Sequence, residues 1–144
     1  MYIQPNIEKR VEKFLSVSDN NMADALGISF TSFKADEVKA NMPVNENTVQ
    51  PFGLLHGGAS VALAETLASI GAWLNIEEEN KTAVGVEINA NHVRVARKGE
   101  TVRGVSTPIH KGRQTQVWET KIVNEDDKLV CVSRCTLAII ETGE

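Results

Sequence analysis

The chain is 144 residues long, 42% hydrophobic and 24% charged, with a net charge of -4. That length carries one domain with a real core, and the acidic balance gives no general reason to expect nucleic acid or an anionic membrane surface as partner. "MYIQPNIEKR" offers no apolar signal region, so a cytoplasmic protein is expected.

"NIEKRVEKFLSV" spaces Ile7, Val11, Phe14 and Leu15 as a helix does, predicting one over about 6–17. "NNMADALG" reads as a short turn of helix closed by Gly27. "ISFTSFKADEVKANMPV" reads as two strands with a turn near Ala35-Asp36. The most apolar segment follows, "QPFGLLHGGASVALAETLASIGAWLN", with a helix predicted over about 57–75. Four strand candidates close the chain: "TAVGVEINANHVRVA", "ETVRGVSTPIH", "QTQVWETKIVN" and "KLVCVSRCTLAII", with an acidic turn at Glu125-Asp126-Asp127. Short turns between strands imply a largely antiparallel sheet. One sheet and one apolar helix give an α+β fold in which the sheet packs on the helix.

Cys131 and Cys135 sit four strand steps apart, roughly 13 Å. Disulfide partners need Cα atoms within about 7 Å. Two buried thiols are therefore expected. The three scattered histidines and the lack of a CxxC or HxxxH spacing give no metal site.

The apolar helix is too dilute in large residues to span a membrane, and a central Glu65 costs about 2.5–3.5 kcal/mol on insertion scales. A helix apolar on nearly every side is buried in protein. Glu65 then has two readings. A structural acid is held by hydrogen bonds or a basic partner. A catalytic carboxylate sits in a desolvated pocket, where burial makes it a stronger base or nucleophile. Gly57 and Gly58 open the helix at its positive end, where backbone N–H groups lack internal partners and suit a developing oxyanion. Close helix–strand packing explains the two glycines equally well. Gly57 and Glu65 are eight residues apart, roughly 12 Å along a helix. If both serve one carbonyl, they come from different subunits of a two-fold dimer.

"QPFGLLHGGASVALAET" resembles the central-helix signature of hotdog-fold acyl-CoA thioesterases. The similarity is to the clade of the Arthrobacter-type 4-hydroxybenzoyl-CoA and phenylacetate-pathway enzymes, and within it to thioesterases acting on 1,4-dihydroxy-2-naphthoyl-CoA and their proofreading relatives. "VGVEINANHVRVARKG" and "IHKGRQTQVWETKI" look like this family too, so the likeness runs from about Gly27 to Ile140.

The resemblance implies a hotdog fold, an antiparallel sheet wrapped around a long central helix. It also implies a homodimer with a continuous sheet, paired into a homotetramer. Its reaction is hydrolysis of an acyl-CoA, an aromatic one in this clade, with no metal or redox cofactor. Carried across, Glu65 matches the catalytic carboxylate and the Gly57 N–H the oxyanion donor. Gln50 and His56 match residues around the thioester carbonyl, and Ser69 a hydroxyl that helps place water. Gly85, His92, Val93, Arg94 and Val95 match the acyl and pantetheine channel. Ile109, His110, Lys111, Gly112, Arg113 and Gln114 match a loop that meets the CoA nucleotide. The loop's cations suit phosphate on their own chemistry, though a solvated hairpin turn is the plain alternative, as an edge histidine is for His92. Arg94, Arg97 and Lys98 form a small basic cluster that would assist the phosphates. Two rival functions remain from the sequence: a hotdog protein that binds acyl-CoA without hydrolysing it, and a hotdog dehydratase.

Overall fold

The computed structural model describes residues 1–143. Strand β1 (Tyr2–Ile3) leads into helix α1 (Glu8–Ser16) and the short helix α2 (Met22–Ala25). The hairpin of β2 (Ser29–Lys34) and β3 (Glu37–Pro43) follows. Next come the central helix α3 (Gly57–Leu74) and four long strands: β4 (Lys81–His92), β5 (Thr101–Lys111), β6 (Thr115–Val123) and β7 (Leu129–Glu141). They form one seven-stranded sheet in the order β1-β2-β3-β5-β6-β7-β4. Every pairing is antiparallel except β1 with β2. This is the α+β architecture read from the sequence. The two-residue β1 carries too little pattern to be seen there.

The sheet wraps α3 because α3 is small where strands press on it. A Cβ on Gly71 would lie 2.7 Å from the Trp118 ring, closer than real Cβ contacts come. Trp118 is fully buried, and its indole N–H is held by Gln116 at 2.9 Å, so the ring has little freedom to retreat. Gly71→Ala should therefore force α3 off the sheet. Overpacking of this kind costs about 1–3 kcal/mol, to be read as a lower midpoint in urea or thermal unfolding. Ala64, Ala68 and Ala72 continue the same inner face.

Helix α1 is clamped to the far end of α3. The Arg10 guanidinium donates to the Trp73 carbonyl at 2.8 Å and lies 4.2 Å from that residue's ring centroid. Cation–π contact and the negative end of the helix both favour this placement. Beneath it Phe30 stacks on Phe33 with centroids 5.2 Å apart, and Phe14 meets both edge-on at 5.3 and 6.1 Å.

One sequence expectation needs correction. The strand through "HVRVA" stops at His92, because the Val93 and Arg94 N–H groups both donate to Val130 O and the chain leaves the ladder. It then runs to the 49–55 hairpin, where Leu55 N–H donates to Ala96 O. The N-terminal helix expected over about 6–17 spans Glu8–Ser16. Within the single chain, α3 is covered on one face. Its inner face is buried, but Val61, Ala62, Glu65, Thr66, Ser69 and Ile70 stay partly exposed in the single chain. Cys131 and Cys135 are free and buried, as expected. No helix among the described residues is long and apolar enough to cross a membrane.

Candidate active site

The chain entering α3 is built to leave one backbone donor unused. Gln50 anchors a tight turn: its N–H donates to Leu54 O at 2.8 Å, and its carbonyl accepts from Gly53 N–H at 3.0 Å. Its side-chain oxygen accepts from the Phe52 and Leu54 N–H groups, leaving the amide NH2 as the free end. His56 is the N-cap of α3, with φ -69 and ψ 132. Its Nδ1 accepts from the Gly58 N–H at 2.7 Å, and its carbonyl accepts from Ala59 and Ser60 at 3.0 and 3.2 Å. Three of the first four orphan donors are thus satisfied. Among the described residues, the Gly57 N–H has no acceptor.

Gly57 opens into a cavity of about 560 Å³ walled by Gln50, Leu54, Ser60, Val130 and the run His92, Val93, Arg94 and Val95. A Cβ on Gly57 would stand 3.1 Å from His92 Nε2, so the imidazole lies directly beside the free donor. The Arg94 guanidinium donates to Leu129 O at 2.7 Å. The other two cations of the predicted basic cluster, Arg97 and Lys98, are exposed and are not among this cavity's walls.

Glu65 lies elsewhere. It lines a second cavity, of about 510 Å³, on the open face of α3 with Gly58, Val61, Ala62, Ser69, Ile70 and Met22. Its carboxylate rests against β4: Oε1 is 3.1 Å from where a Gly85 Cβ would be. It is half-buried, and among the described residues it has no hydrogen bond and no ion pair. Its charge is felt by Cys135 across the sheet. Burial, with Glu65 and then Glu87, pushes that thiol up to about 11. Ser69 stands one turn after Glu65 in the same cavity.

One chain therefore brings Gln50, Gly57 and His92 to Val95 together, and separately brings Glu65, Ser69 and Gly85 together. His56 joins the two by capping the helix. The third predicted group is more remote. Lys111, Gly112 and Arg113 line a cavity of about 300 Å³ at the C-terminal end of α3, with Asn75, Glu77 and Glu78. Lys111 Nζ donates to Asn75 Oδ1 at 3.3 Å. Asn75 is held in turn by Ala35 O and Gly71 O at 2.6 and 2.8 Å. The loop's cations share this cavity with two carboxylates, and Glu78 is held below the ordinary carboxylate range by its own backbone and by Lys81 and Arg113. Ile109, His110 and Gln114 are exposed and outside that cavity. Ser60 and Met22 were not singled out in the sequence. Ser60 had a signal, one turn after Gly57. Met22 had none, since only the tertiary fold brings α2 to α3.

The chain's relatives agree with this architecture. Residues 52–131 match the thioesterase superfamily model. The chain is 49% identical over 130 residues to 1,4-dihydroxy-2-naphthoyl-CoA hydrolase of Escherichia coli, covering 90% of this chain and 94% of that protein. It is 47% identical over 123 residues to a proofreading thioesterase of Klebsiella pneumoniae, covering 85% and 88%. The crystal structure of a Haemophilus influenzae thioesterase superposes with a TM-score of 0.85 at 48% identity, covering 92% of each chain. Fold, helix signature and relatives converge: the chain belongs to the thioesterase superfamily, with the hotdog fold, and is a thioester hydrolase of a family that acts on acyl-CoA.

Proposed function

We propose that the protein hydrolyses an aromatic acyl-CoA at sites shared between two subunits, with Gly57 from one and Glu65 from the other. The thioester carbonyl oxygen accepts from the free Gly57 N–H, with the α3 dipole behind it. The partner's Glu65 carboxylate attacks the carbonyl carbon. The C–S bond breaks, CoA leaves as the thiolate and takes up a proton, and an acyl-glutamyl anhydride remains. Water near Ser69 hydrolyses the anhydride to the free acid and restores Glu65. The NH2 of Gln50 and His92 stand on the Gly57 side, where His92 to Val95 line the channel for acyl group and pantetheine. Lys111 and Arg113 are the candidates for the CoA phosphates, and no metal or redox cofactor is required. The observation that carries this reading is the partnerless Glu65 carboxylate on an uncovered helix face, in a different cavity from the unused Gly57 N–H.

The aromatic preference rests on the relative that acts on a naphthoyl thioester, and on apolar walls at both half-sites: Leu54, Val95 and Val130 on one, Val61, Ala62 and Ile70 on the other. The test is a panel of aromatic and aliphatic acyl-CoAs followed by free-thiol release. Aromatic thioesters should show the highest kcat/KM. A preference for aliphatic chains would overturn the substrate class.

The edge of the sheet supports the dimer. Among the described residues β4 has no neighbour beyond it, and Val86 on it is 64% exposed. A long unpaired edge is a template for pairing with another chain. Gly57 sits beside His92, and Glu65 beside Gly85. Uniting the two half-sites therefore lays His92 of one β4 opposite Gly85 of the other. Gly85, Ile88, Ala90 and His92 pair with Leu137, Cys135, Ser133 and Cys131, four buried positions, so all four face inward, and the register shift between Gly85 and Glu87 supplies one extra residue. Directly opposed residues share a face, which puts the two-fold axis at Asn89. Two copies of Asn89 would then face each other with Cα atoms about 4.5–5.5 Å apart, within disulfide reach. Asn89→Cys should form a covalent dimer on mild oxidation, while Val84→Cys should not, as non-reducing electrophoresis would show.

A further inference from the structure

We infer that Gly85, with the β-bulge at Val86, forms a notch that sets the position of the Glu65 carboxylate, which makes Gly85 a positioning residue. The inference rests on Glu65 being the reacting carboxylate. It departs from the family resemblance, which places Gly85 among residues that contact substrate.

Within its own chain Glu65 has no hydrogen bond or ion pair among the described residues, so what that chain supplies to place the carboxylate is the steric wall at Gly85. The three heavy atoms nearest an added Gly85 Cβ are all the carboxyl group of Glu65: Oε1 at 3.1 Å, Cδ at 3.4 Å and Oε2 at 3.8 Å. Among the described residues beyond its two chain neighbours, no backbone atom or other side chain comes closer to that Cβ than the 3.8 Å of Oε2. The glycine is therefore not needed by strand packing, nor by a left-handed backbone, since its φ is not positive. The register shift falls between Gly85 and Glu87, at the residue that contacts the carboxylate. Bulges re-aim the strand locally, and they are frequent beside active sites.

An alanine there would press on Oε1 and push the carboxylate by a few tenths of an ångström, enough to misalign a reacting group. Gly85→Ala should lower kcat by about 10- to 100-fold and change KM less than about twofold, the signature of an interaction made in the transition state. The double-mutant cycle with Glu65→Asp is the decisive measurement, because aspartate is one methylene shorter and does not reach the notch. The double variant should be no slower than Glu65→Asp alone. Losses that multiply, or a rise in KM in place of a fall in kcat, would overturn the notch and favour substrate contact. Thermal unfolding gives a second reading independent of turnover. Gly85→Ala should lower Tm with Glu65 present and leave it unchanged or raised in a Glu65→Ala background, where the entropic gain of Gly→Ala stands alone. An equal drop in both backgrounds would sink the inference. A Glu65→Gln enzyme of full activity would instead refute the catalytic reading on which it rests.

Discussion

Glu65→Gln should abolish turnover while leaving the fold intact. The loss expected in kcat is on the order of 10³-fold, the scale of removing a positioned acid–base group. Gln keeps the size of the side chain but is neither a nucleophile nor a base. The second half of the prediction separates the two readings of this acid. A structural carboxylate held by a donor or a cation leaves that partner unsatisfied when changed, and the protein loses stability. Glu65 has no such partner among the described residues, and an uncompensated, half-buried charge is itself a cost. Tm should therefore stay level or rise, the pattern of a group kept for activity at some expense of stability. Thiol release and thermal unfolding on the same preparation check both halves. The two buried cysteines add little to the thiol signal, since burial raises both thiols above the ordinary range. Activity within about twofold of the parent would show that another group does the chemistry of this hydrolase. A fall in Tm of several degrees would restore the structural reading.

The architecture was readable because period-2 and period-3.6 patterns switch cleanly along the chain. The β2–β3 turn at Ala35-Asp36 and the acidic turn before β7 both fall where turn chemistry places them. Two boundaries were not readable. "HVRVA" alternates like a strand, but the Val130 carbonyl takes two N–H groups there and tertiary contact overrides the pattern. The face of α3 that carries Glu65, Thr66 and Ser69 was expected to be buried in protein, and its own chain leaves it partly exposed. A sequence shows that a face is to be covered, not whether its own chain covers it. At the site, the pattern "HGG" marks a helix start, but only the structure separates the two glycines. His56 Nδ1 takes the Gly58 N–H and leaves that of Gly57 free. The approach of Glu65 to Gly85 joins positions on different elements, and no local pattern encodes it.

Mixing two inactive variants should restore about a quarter of parent activity, if subunits exchange freely and each site draws on both chains. The first variant is Glu65→Ala. The second is Gly57→Pro, which removes the unused N–H and little else. Proline is favoured at the first position of a helix, where the lost N–H has no internal partner. The residue before a proline prefers extended backbone, and His56 already has φ -69 and ψ 132. The ring's Cβ comes near His92 Nε2, 3.1 Å away, so that imidazole must give slightly. Alone, Gly57→Pro should lower kcat by roughly 10²–10³, the scale of losing an oxyanion donor. In a mixed dimer, one site combines the proline and the alanine and is dead. The other takes Gly57 from the Glu65→Ala chain and Glu65 from the Gly57→Pro chain, so it is whole. Random exchange of equal amounts makes half of the dimers mixed, and half of their sites work. Were the site contained in one chain, every subunit in the mixture would carry one lesion, and mixing would recover nothing. Helix geometry makes recovery the expected result. The two groups lie roughly 12 Å apart along α3, in separate cavities, and no glutamate rotamer spans that gap. On the proposed reading it is a second α3 that brings the carboxylate to the carbonyl bound at Gly57.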